Sequence, residues 1–202
     1  MNKVSLRGVA VAALASAALV GAAPALAQSM SNPSMDHSAH ADASVTVGGA
    51  AMYPTRTIVE NAVNSPIHTT LVAAVKAAGL VETLSGPGPF TVFAPTNDAF
   101  GKLPAGTVET LVEPANKAML TKILTYHVVA GRITAADLAA RISAGGGKAE
   151  LTTVEGGVLT ASMRGSAVIL TDEKGGVATV TQADVLQSNG VIHVTDTVSM
   201  PN

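Results

Sequence analysis

The segment from residue 35 to residue 40 carries the densest set of potential metal ligands in the sequence. Met35, His37 and His40 place one thioether and two imidazoles within six residues, beside the carboxylate of Asp36. Copper or nickel suits soft and borderline donors of this kind on a flexible chain. The same composition is also typical of a soluble polar tail that binds nothing, so weak copper capture is one of two hypotheses for this segment.

The dipeptide Tyr126-His127 is the second candidate, at a predicted junction between a helix and a strand. Strand alternation would place Tyr126 and Val128 on one face, with His127 and Val129 on the other. Two interpretations remain open here. His127 is either a buried residue hydrogen-bonded to the backbone or part of a surface that recognises another protein.

Motifs of the common catalytic machineries are missing from the sequence. It contains neither Gly-x-Ser-x-Gly nor His-Glu-x-x-His, and Gly145-Gly146-Gly147-Lys148 continues with Ala149, where a phosphate-binding loop needs Ser or Thr. The carboxylates of Asp98, Asp137, Asp184 and Asp196 are scattered over predicted caps, turns and strand ends. We therefore expect a protein that is not an enzyme and has no cofactor.

Composition narrows the function classes further. Of 202 residues, 48% are hydrophobic and only 2% aromatic, so the core must be aliphatic and few rings are available to stack on bases. The formal net charge is −2, which argues against binding to a nucleic-acid backbone. Cysteine is absent, which excludes disulfides and thiol catalysis.

The N-terminus has the pattern of a secretory signal peptide over residues 1–27. Lys3 and Arg7 precede an apolar run, and Ala25-Leu26-Ala27 forms a small-x-small cleavage site. We expect an exported protein, periplasmic or extracellular, with no transmembrane span after cleavage; an uncleaved membrane anchor is the alternative. Residues 28–52 are predicted to be a flexible tail, and residues 53–200 one folded domain.

The first part of that domain is predicted to be mainly helical. Thr57 and Glu60 have the spacing of a capping box, and apolar residues recur at helical spacing from Ile67 to Ala78 before Gly79. A short β-rich run at residues 90–94 follows. Further helices are predicted over residues 107–125, with a break at Pro114, and over residues 134–142.

From residue 149 the hydrophobic period changes to two. Strands are predicted at 149–155, 158–163, 166–171, 177–182 and 191–198, separated by Gly-rich turns. Helices followed by a β-meander indicate an α+β fold rather than an alternating parallel one.

Three segments in this order resemble the fasciclin domain family. They are Phe90-Thr91-Val92-Phe93-Ala94-Pro95-Thr96-Asn97-Asp98-Ala99-Phe100, then Tyr126-His127-Val128-Val129, then Asn189-Gly190-Val191-Ile192-His193-Val194-Thr195-Asp196. The resemblance covers about residues 54–200. It implies a wedge of twisted, mostly antiparallel strands packed against several helices, with Phe93 and Phe100 as core anchors.

The resemblance also implies a function. Fasciclin-like domains are generally non-catalytic adhesion or matrix modules, which suggests an unknown protein or matrix partner at the cell envelope and a binding surface around Asn97, Asp98, Tyr126 and His127. In animal members the Tyr-His region acts together with an Asp-Ile pair in integrin binding. This sequence has neither Asp-Ile nor Arg-Gly-Asp, which argues against integrin binding. The alternative is a periplasmic protein that binds a lipid-like ligand or copper.

Overall fold

The computed structural model describes residues 44–202. The predicted signal peptide at 1–27 lies outside the described residues, as does the tail up to residue 43. The same holds for the candidate metal ligands Met35, His37 and His40.

A β-hairpin opens the described chain, where the sequence predicted a flexible tail up to residue 52. Strands β1 (Val45–Val47) and β2 (Ala50–Met52) pair antiparallel around Gly48 and Gly49, which both have positive φ. The side chains of Val47 and Met52 are buried in the core. The domain boundary predicted at Tyr53 is therefore wrong. The hairpin was missed because two strands of three residues are too short to show an alternation of polar and apolar residues.

Three helices follow the hairpin: α1 (Ile58–Ala62), α2 (Thr69–Ala78) and α3 (Val81–Ser85). Thr57 forms the predicted capping box with Glu60, and Gly79 ends α2 in the left-handed conformation at φ 75°. Both local predictions are confirmed, since each depends only on which backbone groups a helix end leaves free.

The middle of the chain consists of β3 (Phe90–Pro95), α4 (Asn97–Gly101), α5 (Thr107–Val112), a 3₁₀ turn (Pro114–Asn116) and α6 (Lys117–Tyr126). Pro114 produces the expected break. Within α6, Met119 is 59% exposed, whereas the neighbouring Leu120 is buried.

The second half contains β4 (Val128–Ala130), α7 (Ala135–Ala144), β5 (Lys148–Thr152), β6 (Val158–Arg164), β7 (Ala167–Thr171), β8 (Val177–Gln187) and β9 (Gly190–Thr195). Strand β8 continues five residues beyond its predicted end. It does so through two register shifts against β9, with Asp184 at φ 57°.

Seven strands form one sheet in the order β4-β3-β9-β8-β7-β6-β5. Only the β3–β9 pair is parallel, and the other pairs are antiparallel. The two outer strands also meet: Val129 of β4 forms a bridge with Thr153, and the Val154 N–H donates to the Val128 carbonyl at 2.7 Å. The sheet is therefore nearly barrel-like, and the predicted α+β class is confirmed.

The core lies on both sides of β3 and β9. One cluster, including Leu71, Ile123 and Ile192, fills the space between the helices and the sheet. The other, including Phe93 and Leu138, packs against α7 and the meander. Within residues 44–202, no helix has both the length and the apolar character needed to cross a membrane.

Candidate functional site

Asn97 connects the loop after β3 to the start of α2. Its Oδ1 accepts hydrogen bonds from the Thr70 N–H at 3.0 Å and the Thr69 hydroxyl at 3.1 Å, and its Nδ2 donates to the Pro66 carbonyl at 2.9 Å. The Asn97 N–H donates to the Ile67 carbonyl at 2.8 Å. This side chain is half-buried and its polar atoms hold two elements together. Asp98, the next residue, is exposed on the first turn of α4.

Asn189 has a similar role in a buried position before β9. Its Oδ1 accepts from the Ile58 N–H at 2.9 Å, and its Nδ2 donates to the carbonyls of Leu84 and Gly86, both at 2.8 Å. The next residue, Gly190, lies so close to β3 that a Cβ would collide with the Phe90 carbonyl oxygen. The Asn-Gly pair therefore joins the first turn of α1 and the end of α3 to the central strands.

Tyr126 is fully buried at the last position of α6. Its hydroxyl donates to the Val158 carbonyl at 2.8 Å and accepts from the Glu173 N–H at 3.2 Å. Burial raises the pKa of Tyr126 to about 12, an effect that the Glu173 N–H opposes. The phenol is a neutral connection between α6 and the meander.

His127, 3% exposed, uses both ring nitrogens inside the fold. The Nδ1 atom lies 2.8 Å from the Ile123 carbonyl oxygen and must therefore carry the proton, while Nε2 accepts from the Ser199 N–H at 3.0 Å. Burial lowers the pKa of His127 below its ordinary 6.5, although the Ile123 carbonyl and the Asp172 carboxylate act in the opposite direction. The ring is a neutral imidazole with a fixed tautomer.

His193, in β9, is fully buried. Its ring stacks on Phe93 with centroids 5.5 Å apart. The Nε2–H donates to the Ile133 carbonyl at 2.8 Å, and Nδ1 accepts from the Asp184 N–H at 3.3 Å. Burial lowers the pKa of this histidine as well. Its two hydrogen bonds fix the bulge of β8 and the loop before α7.

The four residues predicted to form a protein-binding surface do not share an exposed surface. Asn97 and Asp98 follow the end of β3, whereas the His127 carbonyl accepts from the Phe93 N–H in the middle of that strand. Tyr126 and His127 are buried, so a partner cannot touch them while the fold is closed. For this pair the interpretation as a buried residue hydrogen-bonded to the backbone is confirmed and the surface interpretation is wrong.

An open groove lies beside Asn97, between the start of α2 and the segment from α4 to α5. It encloses about 300 Å³, and Phe100, Leu103, Val108 and Glu109 are among its lining residues. No pattern in the sequence predicts this groove, because its walls come from segments that only the tertiary fold brings together.

A second cavity is apolar and lies between α1, α2, α3 and the inner strands. Its volume is only about 40 Å³, whereas ligand pockets typically have volumes of about 300–1,000 Å³. It is too small for a lipid chain. Among residues 44–202 no cluster of three His, Asp or Glu side chains is arranged to hold a metal ion.

Comparison with known proteins identifies relatives for nearly the whole folded part. The Fasciclin domain profile matches residues 66–201. Protein sll1483 of Synechocystis is 53% identical over 78% of this chain and 81% of its own length. The immunogenic protein MPB70 of Mycobacterium bovis is 34% identical over 99% of this chain and 97% of its own length.

A solved structure also shares the fold. It is a FAS1 domain pair from the insect cell adhesion molecule Fasciclin I, with a TM-score of 0.64 and 19% identity. The match covers 77% of this chain and 57% of the insect chain.

Proposed function

The chain belongs to the fasciclin domain family, and from that membership we propose that it is an exported, non-catalytic module that binds a protein or matrix component at the cell envelope. Proteins of this family are adhesion or extracellular proteins. Export of this chain is supported by the signal-peptide pattern of residues 1–27.

One observation carries the proposal: the polar side chains of the family segments are used inside the fold. Asn97, His127, Asn189 and His193 each bind backbone groups of other elements through both of their polar side-chain atoms. Both ring nitrogens of each histidine are occupied in this way, and each asparagine amide uses three of its four hydrogen-bonding positions inside the fold. Recognition is left to the exterior of the scaffold.

The contact surface that we propose is the groove beside Asn97 together with the exposed carboxylate of Asp98. Phe100, Leu103 and Val108 contribute the apolar part of the groove's otherwise largely polar lining, and Glu109 stands exposed at its edge. Such a surface suits a partner segment with an apolar side chain next to a cation, since the apolar part supplies affinity and the charges set orientation.

The experiment that tests this proposal is site-specific crosslinking in the native cell. A photoreactive residue at position 105, where the exposed Ala105 lines the groove and Asp98 stays in place, is compared with one at position 150, where Glu150 is an exposed acid on β5 that does not line the groove. We expect position 105 to capture one partner that position 150 does not. Capture from both positions alike, or from neither, would contradict the proposed surface.

Charge reversal supplies the matched variants. We expect Asp98→Lys to abolish capture of that partner, whereas Glu150→Lys retains it, with unchanged melting curves for both variants because each side chain is exposed. The lipid-like alternative finds no support in the apolar cavity between α1, α2, α3 and the inner strands, which encloses only about 40 Å³. The copper alternative concerns Met35, His37 and His40, and it fails if calorimetry gives the same copper binding for His37→Ala/His40→Ala as for the natural protein.

A further inference from the structure

Residues 198–202, which we call the strap, follow β9 without regular secondary structure. Val198 and Pro201 are buried, and Met200 packs against the core between the helices and the sheet. A segment that is neither helix nor strand must find other acceptors for its backbone N–H groups.

Those acceptors are titratable side chains in every case from residue 199 onwards. The Ser199 N–H donates to Nε2 of His127 at 3.0 Å, the Met200 N–H to Oδ2 of Asp172 at 2.8 Å, and the Asn202 N–H to Oε2 of Glu173 at 3.2 Å. Residue 201 is a proline and has no N–H. The attachment of the strap therefore depends on the protonation state of three groups.

From this arrangement we propose that the strap is a pH-sensitive latch, which detaches as the pH falls while the sheet stays folded. Nε2 of His127 can accept from Ser199 only while the imidazole is neutral, because Nδ1 already carries the proton given to Ile123. A second proton at Nε2 would point directly at the Ser199 N–H. Detaching the strap removes that clash and lets water solvate the imidazolium.

The surroundings of the latch shift the pKa of His127 in opposite directions. The Asp172 carboxylate favours protonation of His127, but burial outweighs it and leaves the pKa of His127 below 6.5. The Tyr126 ring meets the imidazole edge-on at 6.5 Å. On the other side of the strap, Lys122 donates to the Asn202 carbonyl at 2.5 Å and lies 3.8 Å from Glu155.

The contact between the strap and the Glu173 carboxylate also weakens as the pH falls. Bonds from the Val158 and Asn202 N–H groups hold the pKa of Glu173 below its ordinary 4.5. For both His127 and Glu173 the pKa in the folded state lies below the pKa in the unfolded state. Each group therefore stabilises the attached strap fully above its unfolded-state pKa and loses that stabilising effect as the pH falls. The contribution of the histidine contact therefore begins to fall at a higher pH, below 6.5, than that of the glutamate contact, below 4.5.

Local detachment is favoured over unfolding because of what each imidazole contacts. His193 is held between Ile133 and the β8 bulge, so its protonation disturbs the sheet. The Nε2 atom of His127 contacts only an irregular segment of five residues. Removing that segment uncovers Ile123 on α6, which lines a cavity of about 170 Å³ together with Met200 and Pro201. The latch therefore covers apolar surface.

Hydrogen exchange of the full chain tests this proposal. We expect the protection factors of the Ser199 and Met200 amides to fall about tenfold per pH unit below 6.5 until the folded pKa is reached, as one linked proton requires. Amides of β3 and β9 exchange only through global unfolding, so their protection also falls with pH but stays far above that of the strap at every pH. Flat protection of the strap, or protection of the strap equal to that of the central strands at each pH, would overturn the latch.

Two variants separate the latch from a general effect of acid. In His127→Gln the amide oxygen can accept from Ser199 but does not titrate, so the dependence of strap protection on pH should vanish. His193→Gln, the matched control, should retain it. If His127→Gln does not fold, the ¹⁵N shift of Nε2 in the natural protein must titrate at the same midpoint as Ser199 exchange, and different midpoints would refute the proposal.

Discussion

The substitution Asn189→Ala tests the structural role of the family segments most sharply. It removes one acceptor and one donor group that serve three backbone partners: the buried Ile58 N–H, the buried Leu84 carbonyl and the half-buried Gly86 carbonyl. Asn189 is 5% exposed, so water does not readily replace the lost side chain. The effect should therefore be large for a single amide.

The magnitude follows from the three contacts. A net hydrogen bond contributes about 1 kcal/mol, and a buried group left without a partner costs about 1–3 kcal/mol. We expect Asn189→Ala to lower the free energy of unfolding by about 3 kcal/mol, a large share of the roughly 5–15 kcal/mol that stabilises a typical domain. With a urea slope of about 2 kcal/mol/M, the midpoint moves down by about 1.5 M.

Asn97→Ala is the matched control for burial. Asn97 also serves three partners, those on Thr69, Thr70 and Pro66, but it is half-exposed and water can take over. We expect a loss of about 1 kcal/mol there. Urea unfolding followed by circular dichroism measures both variants. Equal losses for the two variants, or a loss under about 1 kcal/mol for Asn189→Ala, would refute the reasoning.

Three further predictions concern the buried rings. Phe93→Ala should cost about 3–5 kcal/mol in denaturant melts, because the fully buried ring leaves a cavity beside His193; a loss under about 1 kcal/mol would contradict its place in the core. Tyr126→Phe should lower the free energy of unfolding by about 1–2 kcal/mol, because the two hydrogen bonds of the hydroxyl are lost. Absorbance titration of the natural protein should show this phenol ionising only near pH 12, unlike an ordinary tyrosine at 10.0. Because burial lowers the pKa values of His127 and His193 in the folded state, the unfolded chain binds more protons below pH 6.5. The free energy of unfolding should therefore fall from pH 7 to pH 5, by less in His193→Gln than in the natural protein; a pH-independent midpoint would exclude neutral buried imidazoles.

The parts of the fold that depend on local chemistry could be predicted from the sequence. Thr57 and Thr134 form capping boxes with Glu60 and Asp137, because the three-residue spacing alone brings side chain and backbone together. The change of the hydrophobic period to two near residue 149 likewise predicted the β-meander. These elements required no knowledge of distant contacts.

Features that depend on distant contacts were missed. Two distant contacts hold the bulge of β8 at Asp184. The Asp184 N–H donates to Nδ1 of His193 in β9, and the Asp184 carboxylate accepts from the Ala135 N–H at 2.7 Å. The burial of His127 depends on the strap, 72 residues further along the chain. Alternation could not reveal this, since Tyr126 ends a helix instead of starting a strand.

The same distinction applies to the candidate site. The residue types at 97, 98, 126 and 127 could be read from the sequence, but their exposure could not. The sequence predicted a common surface, and the structure buries two of the four. The half-buried groove residues Leu103 and Val108 carry no motif, because a surface that binds a partner needs only shape and apolar area.

The most direct test of the central claim measures folding and binding together in two variants, once crosslinking at position 105 has identified a partner. Capture of that partner per folded molecule is compared between Asn189→Ala and Asp98→Lys. If the family segments hold the scaffold and the exterior binds, Asn189→Ala melts early but captures normally, whereas Asp98→Lys melts normally and captures nothing. Loss of capture by folded Asn189→Ala, with normal capture by Asp98→Lys, would contradict the account.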